Sequence, residues 1–208
     1  MSEQYFTTRP SSREEVAEFS EEIRGIRLTL LTGGGVFSRN RIDFGTRLLL
    51  EYLELPETGP FLDLGCGYGP IAITVARLRP GVRVIGVEVN QRAAQLAMEN
   101  AVRNQAANVE IRTGSGFAPV AGEQFSAIIT NPPFRAGKAL VHAWLEQAAD
   151  HLAPEAALWV VVGNKQGAES LTGRMKQLYH EVGVVKCKGG FRVLRARRPL
   201  VPRTEGSG

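Results

Sequence analysis

The chain has 208 residues, of which 43% are hydrophobic, 22% charged and 7% aromatic, an ordinary balance for one or two globular domains around a sizeable core. This excludes an intrinsically disordered or collagen-like chain; no apolar run approaches the roughly 20 residues of a membrane helix, and Met1-Ser2-Glu3-Gln4 reads as no secretory leader. The net charge is +4, and two cysteines, Cys66 and Cys187, make neither a disulfide framework nor, alone, a zinc site, so the expected compartment is the cytoplasm.

Only five of the 25 basic residues are lysine. Arginine's rigid fork suits phosphate, so a polyanionic partner is expected, although biased genomic composition produces the same excess. Between Lys186 and Arg203 there are seven basic residues and no acidic one, the pattern of a nucleic-acid footprint, whereas Glu14, Glu15, Glu18, Glu21 and Glu22 crowd the other end.

In chain order, Ser12-Arg13-Glu14-Glu15 fits a capping box and predicts a helix over 13–23. Ile26 to Leu31 alternates as a strand, and Gly33-Gly34-Gly35 turns the chain toward Val36-Phe37. Asp43 is a candidate cap for a helix running through Leu53, with Leu48, Leu49, Tyr52 and Leu53 inward. These pieces form an expected leader, 1–58, helical with a β-hairpin and packed on the core that follows. From residue 59 to 200 strand and helix alternate. Strands are expected at 61–64, 82–87, 109–113, 126–130 and 157–162; helices are expected at 70–78, 91–104, 137–151 and 169–180. In the 91–104 helix Ala94, Leu96, Ala97, Ala101 and Val102 are expected inward. Strands this apolar are buried on both faces, which implies a parallel sheet covered by helices, an α/β fold. Residues 182–187 and 191–197 flank Gly189-Gly190, so the sheet should end in an antiparallel hairpin strand; 201–208 reads as a flexible tail.

The sharpest local signal is Asp63-Leu64-Gly65-Cys66-Gly67-Tyr68-Gly69, between a strand and a helix. Glycines there let a ligand approach the backbone closely, in the crevice where open α/β sheets bind ligands. The spacing is G-x-G-x-G with an acid two residues ahead, unsuited to a pyrophosphate but suited to a cationic ammonium. A tight turn with no ligand satisfies the same glycines. Glu88 ends the next strand 23 residues after Gly65, where a carboxylate can accept both hydroxyls of a ribose. An adenosine with a cationic amino-acid tail fits both acids, which is S-adenosylmethionine. The third signal, Asn131-Pro132-Pro133-Phe134, follows an apolar strand. The prolines stiffen the backbone and the Asn131 amide oxygen lies beside a carbonyl; two acceptors and a flat ring make a planar clamp for an exocyclic amino group. Phe134 would stack on a base, a contact worth roughly 1–3 kcal/mol.

With these motifs the chain resembles the class I S-adenosylmethionine-dependent methyltransferases of the N-P-P-[FY] amino-methylating group. More narrowly it is similar to single-domain relatives of ribosomal RNA small subunit methyltransferase C, which act on guanine N2. The residues behind the narrower likeness are Gly35-Val-Phe-Ser38, Asp43-Phe-Gly-Thr46-Arg-Leu-Leu49, Asp63 to Pro70, Gly86 to Asn90, Asn131 to Lys138 and Lys165-Gln-Gly167. The resemblance implies a Rossmann-like, mostly parallel seven-stranded sheet with an antiparallel C-terminal strand and helices on both faces. It implies that Asp63, Gly65 and Gly67 hold the methionine part of the cofactor, with Gly69 also cofactor-binding, Glu88 the ribose, and Val89 and Ser115 the adenine. Asn131, Pro132 and Phe134 would be catalytic, Asn131 also meeting the cofactor, while Pro133, Phe134, Arg135 and Lys138 would bind substrate. Ser115 departs from the Asp or Asn usual at its position, and Glu88 is one methylene longer than the frequent Asp. The implied partner is ribosomal RNA or the small subunit, with no metal. Adenine N6 and a protein glutamine use the same clamp chemistry, though glutamine enzymes resemble N-P-P-Y. A catalytically silent RNA-binding module of the same fold is the reading from another class. Cys66 is expected to pack inside the loop rather than act as a nucleophile, and His142, His151 and His180 fall away from the motifs.

Overall fold

The computed structural model describes residues 16–33 and 41–200. Gly35 to Ser38, Ser12 to Glu15 and the 201–208 tail therefore lie outside the described residues. Two strands, β1 (Val16–Ile23) and β2 (Ile26–Gly33), pair antiparallel as a separate hairpin. Helix α1 (Phe44–Tyr52) follows, with Asp43 capping it by accepting the Thr46 N–H at 3.0 Å. Strands β3 (Phe61–Leu64), β4 (Val84–Glu88), β5 (Val109–Thr113), β6 (Phe125–Thr130) and β7 (Leu152–Gly163) then alternate with helices. The helices are α2 (Pro70–Leu78), α3 (Gln91–Arg103), α4 (Lys138–His151) and α5 (Ala168–Leu178). A final hairpin, β8 (Tyr179–Lys188) and β9 (Phe191–Pro199), turns at Gly189-Gly190 with φ of 58° and 79°, a left-handed pair that glycine adopts without steric cost.

The seven-stranded sheet runs β5-β4-β3-β6-β7-β9-β8. β3 to β7 pair parallel, while β9 pairs antiparallel with both β7 and β8, so the mostly parallel sheet with one antiparallel C-terminal strand is as the apolar runs imply. Alternate residues of each central strand feed two cores. Phe61, Val84, Trp159 and Val161 pack under α1, α2 and α3, and Leu62, Ile85, Val160 and Val162 pack under α4 and α5. The strand order reverses between β3 and β6, and the crevice at their carboxyl ends is where such sheets take ligands.

Two expectations are corrected. The segment expected as a helix over 13–23 is strand β1 where it is described: Ala17, Phe19, Glu21 and Ile23 turn inward while Glu18, Ser20 and Glu22 face out, a period of two. Arg24 and Gly25, with φ of 53° and 77°, make a two-residue turn that commits the chain to a hairpin, which overrides the local capping signal. On α3, Val102 is 81% exposed; Asn100, 0% exposed, takes the inward place beside Ala97 and Ala101.

The buried asparagines explain how the hairpin is held. Asn104 Oδ1 accepts the Thr29 N–H and its Nδ2 donates to the Thr29 carbonyl, at 2.9 and 2.8 Å. Asn100 does the same for Leu31, at 2.7 and 2.9 Å. Two carboxamides one helical turn apart thus stand in for a neighbouring strand along the free edge of β2. Asn100 Nδ2 also donates to the Tyr68 carbonyl at 2.9 Å, tying the hairpin to the glycine-rich loop.

Candidate functional site

The loop after β3 folds as it does because its backbone is satisfied from β4. Gly65 and Cys66 donate their N–H groups to the Val87 carbonyl at 2.9 and 3.0 Å, and Gly67 N–H donates to Glu88 Oε2 at 2.9 Å. Gly65, Gly67 and Gly69 sit at φ of 76°, 57° and 92°, and a Cβ on Gly65 would meet the Trp144 ring at 3.1 Å. The loop therefore requires glycine twice over, for its left-handed turns and for the indole above it. Glu88 Oε1 accepts the Asn90 N–H at 2.8 Å, and with three backbone N–H groups on its two oxygens the carboxylate keeps one acceptor site.

Beneath this loop Asp63, 1% exposed, accepts the Ala72 N–H through Oδ2 at 2.9 Å, at the first turn of α2. Its Oδ1 is buried with no hydrogen-bond partner. Burial, opposed in part by the Ala72 bond and reinforced by the Glu88 charge, pushes its carboxyl up to about 8. Glu88 is raised too, by burial against three backbone hydrogen bonds. Burial, then Asp63 and Glu88, push the Cys66 thiol well up, so it packs in the loop as a protonated thiol rather than a nucleophile.

Across the crevice, Thr130 Oγ1 donates to the Leu64 carbonyl at 2.8 Å and fixes the ends of β6 and β3 side by side. Asn131 follows at once. Its Nδ2 donates to Asp43 Oδ1 at 3.2 Å and to Thr46 Oγ1 at 3.0 Å. Pro133, at φ −77° and ψ 73°, makes an inverse γ-turn in which Phe134 N–H donates to the Pro132 carbonyl at 2.9 Å. That carbonyl retains one lone pair.

The two sides enclose a cleft of about 300 Å³. Among the residues expected from the sequence, it is lined by Gly65, Gly67, Glu88, Asn131, Pro132, Pro133, Phe134 and Arg135. Asp63 and Gly69 lie under the loop, Val89 is half-buried beside it, and Ser115 is exposed off the lining. Lys138 borders a neighbouring hollow with Phe134, next to Gly167. Sequence reasoning missed Asp43, Phe44, Thr46, Trp144, Gln166 and Phe191 as lining residues. Phe44 and Phe191 form a tilted aromatic pair at 5.7 Å, and Gln166 Oε1 accepts the Gly163 N–H at 2.7 Å. Asp43 to Thr46 and Gln166 belong to stretches that carry the family likeness but were given no role in the site, and all six sit on elements that meet only in three dimensions.

Four basic residues of the C-terminal stripe are engaged within the chain. Arg192 pairs with Glu169, Arg195 with Glu54 and Arg198 with Glu155 and Glu181, while Lys186 lies 4.9 Å over the Tyr52 ring. Among the described residues no cluster of histidine, cysteine, aspartate and glutamate could hold a metal, and no helix is long and apolar enough to cross a membrane.

A model of the methyltransferase small domain matches residues 27–195. The chain is 40% identical over 200 residues to the uncharacterized protein YbxB of Bacillus subtilis, covering 95% of this chain and 100% of that one. It is 36% identical over 183 residues to ribosomal RNA small subunit methyltransferase C of Pseudomonas fluorescens, covering 82% of this chain and 51% of the other. Among solved structures it is similar to the T. thermophilus 16S rRNA guanine-N2 methyltransferase in complex with AdoMet and guanosine. That likeness has a TM-score of 0.76 and 25% identity, and covers 91% of this chain and 52% of the other. The chain thus spans about half the length of the small-subunit methyltransferases it matches, and the whole length of the Bacillus subtilis protein.

Proposed function

The chain belongs to the methyltransferase small domain family, and from that premise we propose that it moves the methyl group of S-adenosylmethionine to the exocyclic amine of a nucleobase, N2 of a guanine in small-subunit ribosomal RNA, in the cytoplasm. The observation that carries the reading is the position of Asn131, at the carboxyl end of β6 with both amide N–H groups engaged behind it, across one cleft from Glu88 and Gly67. The residues fit the cofactor. Asp63 Oδ1 is a buried, unpartnered acceptor suited to an ammonium group, and the remaining acceptor site of Glu88 suits a ribose hydroxyl. Bound there, S-adenosylmethionine supplies an electrophilic methyl on a sulfonium, so that one N–C bond forms as an S–C bond breaks.

The chain's own residues then act on the amine. An exocyclic amino group is a weak nucleophile because its lone pair is delocalised into the ring. Asn131 Oδ1 and the remaining lone pair of the Pro132 carbonyl accept its two N–H groups, which holds the nitrogen and favours the geometry with the freer lone pair. The half-buried Phe134 ring sets the plane of the base. The methylated nitrogen is cationic and releases its proton to water, so positioning and water exclusion carry the catalysis without a dedicated base. The similar T. thermophilus enzyme, whose structure holds guanosine, supports guanine over adenine.

The test is label transfer from methyl-labelled S-adenosylmethionine, offered separately to deproteinised ribosomal RNA, small subunits, DNA and total protein. Label in the ribosomal RNA, free or assembled, is the expected result. Label in protein or DNA alone would overturn the substrate, and no label in any pool would overturn the activity.

A further inference from the structure

The carboxamide of Asn131 has one end that accepts and one that donates, and the two are nearly the same shape. Rotation about its last torsion is soft, so nothing in Asn131 itself decides which end meets the substrate. If Nδ2 faced an incoming amine, donor would face donor and the clamp would fail. Resting on the amine-methylation reading above, we propose that Asp43 and Thr46 are positioning residues that lock this amide with its oxygen toward the cleft.

The geometry is specific. Nδ2 carries two hydrogens, and each has its own acceptor: Asp43 Oδ1 at 3.2 Å and Thr46 Oγ1 at 3.0 Å. A carboxylate only accepts, so flipping the amide would set its carbonyl oxygen against the Asp43 carboxylate and forfeit that bond; the Thr46 hydroxyl can also donate, so Asp43 sets the sense of the lock and Thr46 supplies the second bond that holds it. With both hydrogens engaged, Oδ1 is the polar atom left for the cleft that Asn131 lines.

The lock is itself braced. Asp43 Oδ1 also accepts the Thr46 N–H at 3.0 Å as the cap of α1, so the helix's first turn fixes the carboxylate that holds the amide. Thr46 is 3% exposed and β-branched, which restricts its hydroxyl to few rotamers. Between them Gly45 has Asp43 Oδ1 and the Phe191 ring within 3.2 Å of where a Cβ would stand. Leu48, Leu49 and Leu50, buried in the core, seat the helix behind them. Asp43-Phe-Gly-Thr46 thus joins helix capping to orientation of an amide 85 residues away along the chain. This gives the stretch a role in the site, beyond the cap and the family likeness that the sequence showed.

The experiment compares Thr46→Val, Thr46→Ser and Asp43→Ala in single-turnover transfer and in cofactor binding. Thr46→Val keeps the shape and the cap but loses the acceptor, and should slow transfer roughly tenfold with cofactor Kd unchanged, while Thr46→Ser restores the rate. In an Asn131→Ala background Thr46→Val should have no further effect. Equal slowing in both backgrounds, or a Thr46→Val enzyme as fast as wild type, would overturn the lock. A second readout needs no activity. In the 15N-labelled protein the Asn131 side-chain N–H signals should be protected from exchange, lose protection in Thr46→Val and Asp43→Ala, and keep it in Thr46→Ser. Unprotected signals in the wild type would overturn the lock. A wild-type protein that transfers no methyl would sink the functional reading alone, because the exchange arm still decides the lock.

Discussion

The two walls of the cleft are built in different ways. The cofactor wall comes from successive turns of one sheet: β3 hands over to the glycine loop, β4 ends in Glu88, and Glu88 ties back to Gly67 at 2.9 Å. The facing wall is assembled from parts far apart in the chain: the cap and first turn of α1, the turn after β6, Gln166, and Phe191 at the start of β9. The first is rigid through its own backbone, with buried carboxylates raised by desolvation. The second is oriented by side-chain bonds between elements, as where Asp43 and Thr46 hold Asn131. On the proposed reading, a wall of the first kind serves a cofactor that stays the same, and one of the second can be retuned to another amine without disturbing it.

The walls should come apart under mutation. Asn131→Ala removes the directing acceptor and should lower the transfer rate by about 10²–10³-fold, the range for losing one preorganised hydrogen bond in a site, with cofactor Kd nearly unchanged. Single-turnover kinetics beside a binding titration checks it, and equal loss of both would erase the division between walls. The cofactor wall should carry the pH signature. Asp63 rises from 3.8 unfolded to about 8 folded, so the folded protein binds the extra proton between those values. The stability this gives is full below pH 4 and is lost as pH rises through 8, with a slope of up to about 1.4 kcal/mol per pH unit. Melting of the cofactor-free protein from pH 5.5 to 8.5 should show the decline, and Asp63→Asn should flatten it.

Asn100→Ala cuts the braces to Leu31 and Tyr68 at once, leaving buried backbone groups unpaired. Denaturant titration should show a loss of about 2–3 kcal/mol, and the cofactor should bind more weakly while the Asn131 amide keeps its protection. The smallest effect is expected at the hairpin's rim. The Glu18–Arg103 pair is exposed, so Glu18→Gln should change stability by less than about 0.5 kcal/mol in the same titration.

Legibility in the sequence follows the same division. The alternation of apolar strands and helices gave away the sheet, and Gly65, Gly67, Glu88 and Asn131 to Arg135 line the cleft, because in a βα unit a strand end and its loop are contiguous. Asp43, Thr46 and Gln166 fall in stretches that carry the family likeness, but their roles, like that of Phe191, were not legible because their meeting depends on the packing of α1 and the C-terminal hairpin. β1 was misread because Ser12-Arg-Glu-Glu15 is a local helix signal, whereas the decisive Arg24-Gly25 turn and the Asn100 and Asn104 braces are non-local or were passed over. Charge counting is blind to partners: Arg192, Arg195 and Arg198 each pair with an exposed glutamate of the same chain, which the sum of residues does not see.

The central claim is that the Asn131 wall selects an exocyclic amine. It is tested most directly by digesting labelled ribosomal RNA to nucleosides and locating the transferred methyl by mass spectrometry. The account predicts the label on an exocyclic nitrogen, as N2-methylguanosine. Label on a ring carbon, a ring nitrogen or a ribose oxygen would contradict it.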